Sequence, residues 1–206
     1  MLGSSSIAIT PTKHPTHGRI WRLTATQTLD HPVESVFPFF ADAHNLEKLT
    51  PRFLNFNVLT PPSENGLIPM HSGAQIRYKL RVRGLPIRWT TTILDWDPPR
   101  KFIDTQDSGP YTLWHHTHTF TPLDNNTRTL CTDEVLYKPK GWILAPLINT
   151  LAVERDVKKI FQYRFDMLAK IFPPREAPII DADDIPMHTP LSDKSLQTPE
   201  PALDRA

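Results

Sequence analysis

Gly109-Pro110-Tyr111-Thr112-Leu113-Trp114-His115-His116-Thr117-His118-Thr119-Phe120 is the stretch that decides the reading of this chain. Gly-Pro is a turn signal, and the run behind it, rich in aromatics and threonine, is strand chemistry. Successive side chains on a strand point to opposite faces. Trp114, His116, His118 and Phe120 therefore share one face, and Leu113, His115, Thr117 and Thr119 the other. Two imidazoles bracketed by two large aromatics fit neither an ordinary core nor an ordinary surface. They describe the wall of an apolar cavity with a polar spot in it, which is the composition of a binding site.

Strands continue on both sides of this one. Upstream lie 73–83, 86–96 and 100–107, and downstream 128–137, joined by turns at Gly84, Asp97-Pro98-Pro99, Ser108-Gly109-Pro110 and Asp124-Asn125-Asn126. Such short connections force antiparallel neighbours. Earlier in the chain, Trp21–Leu29 alternates as a first strand and ends at His31-Pro32. Val33–Phe40 and Asp42–Leu49, the latter capped by Asp42, predict two short helices stopped by Pro51. Phe53–Leu59 predicts a further strand, followed by the breaker 61–66. At the far end, Leu147, Leu151, Phe161, Phe165, Leu168 and Phe172 recur at helical steps and mark one apolar stripe, with Lys158, Lys159, Gln162, Arg164 and Asp166 largely off it. A helix of about 25 residues is long enough, at about 1.5 Å per residue, to cross a whole sheet. The fold class is α+β: about seven antiparallel strands, two short helices after the first strand, and one long closing helix.

Composition bounds the rest. The 206 residues suit one folded domain with tails. We place the domain at 19–172, with residues 1–18 as a flexible tail and the proline-rich, acidic 173–206 as a disordered one. The 23 Lys and Arg against 22 Asp and Glu leave no basic footprint for nucleic acid. Arg77, Lys79, Arg81 and Arg83 alternate with Ile76, Tyr78, Leu80 and Val82, the pattern of a strand with one solvated face. The lone Cys131 excludes an intrachain disulfide, reads as a buried strand thiol and fits a reducing compartment. No secretory signal or membrane span is evident, so a cytoplasmic location is expected. Trp89 and Trp96 have opposite strand parity, one for the core and one for a partly exposed site. His14, His17, His31, His44, His71 and His188 lie in tail or turn contexts and carry no functional assignment.

The element order, with Pro99–Gln106, Gly109-Pro110-Tyr111, Trp114, His116, His118 and Phe120, resembles the START-related, Bet v 1-like superfamily over 19–172. Its bacterial members include the polyketide cyclase/dehydrase and lipid-transport group. Thr105 stands where the similar subgroup carries an acidic residue. The resemblance implies a helix-grip fold, a curved antiparallel sheet around the C-terminal helix with an apolar cavity between them. It implies a carrier, a receptor or an enzyme on that scaffold, without naming the ligand.

Combining strand parities, the inner wall holds Asp104, Gln106, His116, His118 and Asp133 among Tyr78, Phe102, Trp114, Phe120 and Tyr137, with Phe161 and Phe165 facing them from the helix. Cys131, Asp133, Val135 and Tyr137 are taken as inward on the last strand, and Leu130, Thr132, Glu134 and Leu136 as outward. The histidines and carboxylates satisfy one another, or orient a ligand's polar head, or work as catalytic groups, with His116 or His118 paired to Asp104 as an acid–base couple near neutral pH. His-x-His with Asp104 offers three metal ligands, but neither a complete ligand set nor the resemblance calls for a metal, and no cofactor is expected. The function expected is binding of a small hydrophobic or lipid-like ligand. The alternatives are a polyketide cyclase/dehydratase and a quinone or lipid carrier that touches membranes. Lys138–Pro146, with Trp142, Ile143 and Leu144, is a loop for transient membrane contact or for packing at the cavity mouth. No obligate protein partner is inferred.

Overall fold

The computed structural model describes residues 4–141 and 152–175. Eight antiparallel strands form one open, curved sheet in the order β1-β2-β8-β7-β6-β5-β4-β3. They are β1 (Ser5–His14), β2 (Gly18–Leu29), β3 (Asn57–Val58), β4 (Gln75–Val82), β5 (Leu85–Asp97), β6 (Lys101–Ser108), β7 (Tyr111–Leu123) and β8 (Arg128–Pro139). Helices α1 (Val33–Phe40) and α2 (Asn45–Lys48) follow β2, and α3 (Glu154–Ile171) follows β8.

Turn chemistry sets the meander. Arg83 and Gly84 both have positive φ, 51° and 84°, and join Val82 to its partner Leu85 in a two-residue hairpin. Asp124, Asn125 and Asn126 are all left-handed at the β7–β8 turn, a conformation that their short polar side chains tolerate. Gly109 is needed for space. A Cβ there would collide with the carboxamide of Gln106, which folds over the β6–β7 turn, donates to Tyr111 O at 2.8 Å and accepts from Tyr111 N at 3.2 Å. Register shifts in the β5–β6 and β7–β8 pairs add local twist, as bulges do.

Residues 1–18 require correction. Ser5–His14 is a regular strand paired with β2 along its whole length, and Ile7 and Ile9 pack at the edge of the core. Pro11 is tolerated within it because β1 is the sheet edge, where a missing N–H leaves no ladder bond unmade. It is the strand beyond the seven expected. The strand expected at 53–59 shrinks to Asn57–Val58, because Arg52–Leu54 forms a 3-10 turn and Asn55 is left-handed at φ 42°. Helix α2 begins later than expected, and Asp42 instead accepts from the backbone N–H groups of His44 and Ile68, both at 3.1 Å. Leu147, Leu151, Trp142, Ile143, Leu144 and residues 176–206 lie outside the described residues.

The core sits between the concave sheet and its helices. Val157, Phe161, Phe165 and Leu168 of α3 are buried. Phe161 and Phe165 pack with Trp21, Leu23, Val135 and Tyr137, and Leu168 with Phe37, Phe40, Phe102 and Phe120. Strand β4 alternates as expected, with Ile76, Tyr78 and Leu80 buried and Arg77, Lys79 and Arg81 exposed. Trp89 is the core tryptophan and Trp96 the half-buried one. Phe172 closes the unit against His31 and Phe39, at ring separations of 5.5 and 5.7 Å.

Candidate functional site

Register brings the polar residues together. Asp104 on β6 pairs with His116 on β7, and Phe102 with His118. His118 in turn pairs with Asp133 on β8, and Trp114 with Tyr137. Because side chains alternate, Asp104, His116, His118 and Asp133 all project from the concave face at adjacent positions on three neighbouring strands. From the opposite side, α3 adds Arg164.

These groups form a closed polar cluster. His116 Nε2 and His118 Nδ1 lie 3.0 and 2.7 Å from one oxygen, Asp133 Oδ1. His118 Nε2 and His116 Nδ1 lie 3.0 and 3.7 Å from Asp104 Oδ2. Arg164 Nη2 is 3.3 Å from Asp133 Oδ1 and 3.4 Å from His118 Nδ1. The shorter carboxylate contact decides that His118 Nδ1 carries a proton. The two imidazoles overlap at 3.7 Å, and His118 also stacks on Phe102 at 4.0 Å. His116, His118, Asp133 and Arg164 are each at most 7 % exposed, so the charges act with little screening by water.

The environment splits the two imidazoles. Burial is the dominant influence on His116 and, with the neighbouring His118, pushes its pKa below the ordinary 6.5 despite the carboxylates. Burial opposes charge on His118 as well, but there the Asp104 and Asp133 contacts prevail and its pKa is raised. For Asp133, burial is outweighed by Arg164 and the two imidazoles, which hold the carboxyl well below its usual range. The surroundings thus push the two rings in opposite directions, His118 toward its charged form and His116 toward its neutral one.

The cluster opens on a pocket of about 810 Å³, within the range of small-molecule sites. Of the residues expected to meet a ligand, Tyr78, Phe102, Asp104, Trp114, His116, His118 and Phe161 line it. Gln106, Phe120, Tyr137 and Phe165 do not. Gln106 is engaged at its turn, Phe120 is packed on Phe37 and Phe40, and Tyr137 and Phe165 lie in the core beside α3. Asp133 stands behind the imidazoles rather than on the wall. On the neighbouring strand β5, the buried Thr91 hydroxyl accepts from Trp89 Nε1 at 3.1 Å and meets the Tyr78 hydroxyl at 3.2 Å. Burial raises the Tyr78 pKa, keeping that phenol neutral.

Sequence reasoning missed two contributors. Arg164 was placed off the helical stripe, yet it is buried over the Phe40 and Phe161 rings at 5.3 and 5.9 Å. Its spacing was the signal, since it sits three residues after Phe161 and four before Leu168, on their face. The other is the helical segment after β2, whose Phe39, Phe40, Leu46, Leu49, Phe53 and Phe56 form a second wall. Arg83, Pro139, Lys140 and Asp156 also line the pocket, and Arg83 Nε reaches Asp156 Oδ2 at 3.1 Å, joining the β4–β5 turn to the start of α3.

An open antiparallel sheet wrapped on a C-terminal helix, with a pocket between them, defines a helix-grip protein of the START-like class. The sequence model of one family, polyketide cyclase/dehydrase and lipid transport, matches residues 21–172, and the chain belongs to that family. Protein Ms6760 from Mycobacterium smegmatis is similar in structure, with a TM-score of 0.56 at 15% identity over 81% of this chain and 97% of that one. Protein CV1439 from Chromobacterium violaceum gives 0.55 at 17% identity over 75% and 98%. A START superfamily protein from Mycobacterium smegmatis gives 0.52 at 15% identity over 71% and 98%. At such identities the likeness is one of fold. No curated protein matches the sequence.

Proposed function

We propose that the pocket takes up a small, largely apolar or lipid-like ligand whose polar end meets Asp104, His116 and His118. One observation carries this reading: a buried charged cluster set into a wall otherwise built of aromatic and aliphatic side chains. Arg164 Nε adds to it, being buried without a hydrogen-bond partner among the described residues. An unmet buried donor costs about 1–3 kcal/mol, and a ligand oxygen would relieve it. The lone buried Cys131 suits a reducing, cytoplasmic setting. Native mass spectrometry of freshly purified protein, with extraction of what copurifies, identifies the ligand. His116→Phe and His118→Phe keep bulk and remove polarity. Each is expected to weaken that ligand by about ten- to a hundredfold, the equivalent of one lost buried polar contact, in titrations followed by tryptophan fluorescence. Unchanged affinity in both folded variants would move the polar end elsewhere.

The split imidazoles favour a second reading, an enzyme of cyclase/dehydratase type. With His118 pushed toward its charged form and His116 toward its neutral one, an acid stands next to a base, the division of roles that proton-shuttling sites require. On this reading His116→Gln abolishes turnover of the copurifying compound while binding persists. Transfer of that compound between vesicles without conversion would instead mark a carrier.

A further inference from the structure

We propose that Asp104, His116 and His118 form a site for one first-row divalent metal ion of the zinc class, with an open coordination position facing the pocket. The inference shares the pocket of the function proposed above and rests on that reading only for what fills the open position. It revises the expectation from sequence that no metal binds.

The donor atoms carry the argument. Asp104, His116 and His118 each offer one donor atom within 4.8 Å of the other two, and His116 Nδ1 and His118 Nε2 lie 3.7 and 3.0 Å from Asp104 Oδ2. Bonds of about 2.0–2.2 Å in a tetrahedral site set neighbouring ligand atoms about 3.3–3.6 Å apart, between the two distances observed. The far nitrogens are held in the way a metal site needs. His116 Nε2 and His118 Nδ1 both point to Asp133 Oδ1, which fixes opposite tautomers in the two rings and turns the near nitrogens toward Asp104. A carboxylate behind ligating histidines is the recurrent support of such sites. Asp133 has that place, off the pocket wall, whereas the three ligands are on it. Arg164 Nη2 contacts Asp133 and the far nitrogen of His118, on the supporting side of the rings.

Charge narrows what fills the fourth position. With both imidazoles neutral, as ligation requires, two carboxylates and one guanidinium leave one net negative charge. A dication turns this into one net positive charge. A buried site is neutral again when the open position takes a single anionic oxygen, such as hydroxide, carboxylate or enolate. The ligand class is therefore an apolar molecule bearing an oxygen donor of that kind, or a hydroxide beneath a purely apolar guest.

The test uses tag-free full-length protein, stripped with a chelator and titrated with Zn²⁺ against a chromophoric competitor, and separately with Co²⁺. One Zn²⁺ per chain and the intense visible bands of tetrahedral Co²⁺ are expected, and the cobalt spectrum of the unaltered protein needs no variant to fold. Asp104→Asn and His118→Gln, shown folded by thermal melts, should abolish stoichiometric binding, and Asp133→Asn should weaken it by about 10–100-fold. His14 and His17 form a second, half-buried pair with ring nitrogens 3.2 Å apart, so a His14→Ala/His17→Ala variant must bind unchanged. Absence of stoichiometric Zn²⁺, an octahedral cobalt spectrum, or binding lost with His14 and His17 but kept in His118→Gln would overturn the site. An apolar fluorescent probe titrated into the same samples separates the two readings. Probe binding without metal overturns the metal site alone, and metal without probe binding supports it while sinking the apolar pocket.

Discussion

Arg164→Met is the most exacting perturbation of the cluster, because methionine keeps much of the side chain's length over Phe40 and Phe161 and deletes only its charge and donors. Asp133 is 5 % exposed and Arg164 7 %, with their atoms 3.3 Å apart. Breaking a buried pair from one side costs about 3–5 kcal/mol, since the remaining charge loses its partner without regaining water. Asp133 keeps two imidazole contacts in the variant, so the lower end, about 3 kcal/mol, is expected. For a folded unit of this size that is a fall of about 6–12 °C in Tm, at about 2–4 °C per kcal/mol. The pH dependence gives a second signature. A carboxyl held below its unfolded value of 3.8 stabilises the fold above that pH, and the contribution is lost as pH falls through the folded value. Removing Arg164 removes the strongest of the influences opposing burial, so the acid limb of urea-unfolding stability against pH moves upward. Asp133→Asn added to Arg164→Met should cost less than the sum of the single changes. A variant within about 0.5 kcal/mol of the parent, the ordinary range for surface changes, and with an unmoved acid limb, would refute the buried pair.

Phe161→Ala should cost about 3–5 kcal/mol by opening a cavity among Trp21, Val135 and Phe165, whereas the exposed Lys159→Ala should leave Tm in place; equal, small effects would contradict the packing of α3. Gly109→Ala should lose about 1–2 kcal/mol by displacing Gln106 from Tyr111, and the penalty should shrink on a Gln106→Ala background, a cycle read by chemical denaturation. In nitrogen-15 NMR titrations of chelator-stripped protein, His116 should protonate below 6.5 and His118 above it. The His118 charge then stabilises the fold fully below pH 6.5 and ceases to as pH rises through its raised pKa, while unprotonated His116 weakens the fold as pH drops below 6.5; two coincident titrations at the ordinary value would dissolve the split. Burial pushes the Cys131 thiol up to about 12, so a thiol reagent should label it only on unfolding, and rapid labelling of the native chain would contradict its burial.

How far sequence alone reaches is clearest at particular residues. Strand parity is a local rule, and it carried Asp104, His116, His118 and Asp133 to one face because β6, β7 and β8 are regular through those positions and joined by short turns. The same rule carried Gln106 there too, and failed, because a glycine three residues on lets its side chain fold back to the turn. Parity gives direction from a strand but not how far along the sheet the pocket extends, so Phe120 and Tyr137 face inward as expected and yet are covered by Phe40 and Tyr111. Composition misplaced Ser5–His14, because an edge strand tolerates the proline, serine and threonine that read as a tail. Arg164 shows the deeper limit. Its helical phase put it with Phe161 and Leu168, but its charge outvoted its phase, since a guanidinium is buried only where counter-charges wait for it. Those counter-charges lie on strands about 30 to 60 residues away in sequence, a separation that only the antiparallel pairing of β6, β7 and β8 closes. A buried arginine on the closing helix and two buried carboxylates on the sheet are thus one feature. An α3 that slipped by a turn would strand Arg164 away from Asp133, so the polar cluster fixes the register of helix on sheet while the aromatic residues around it supply the burial.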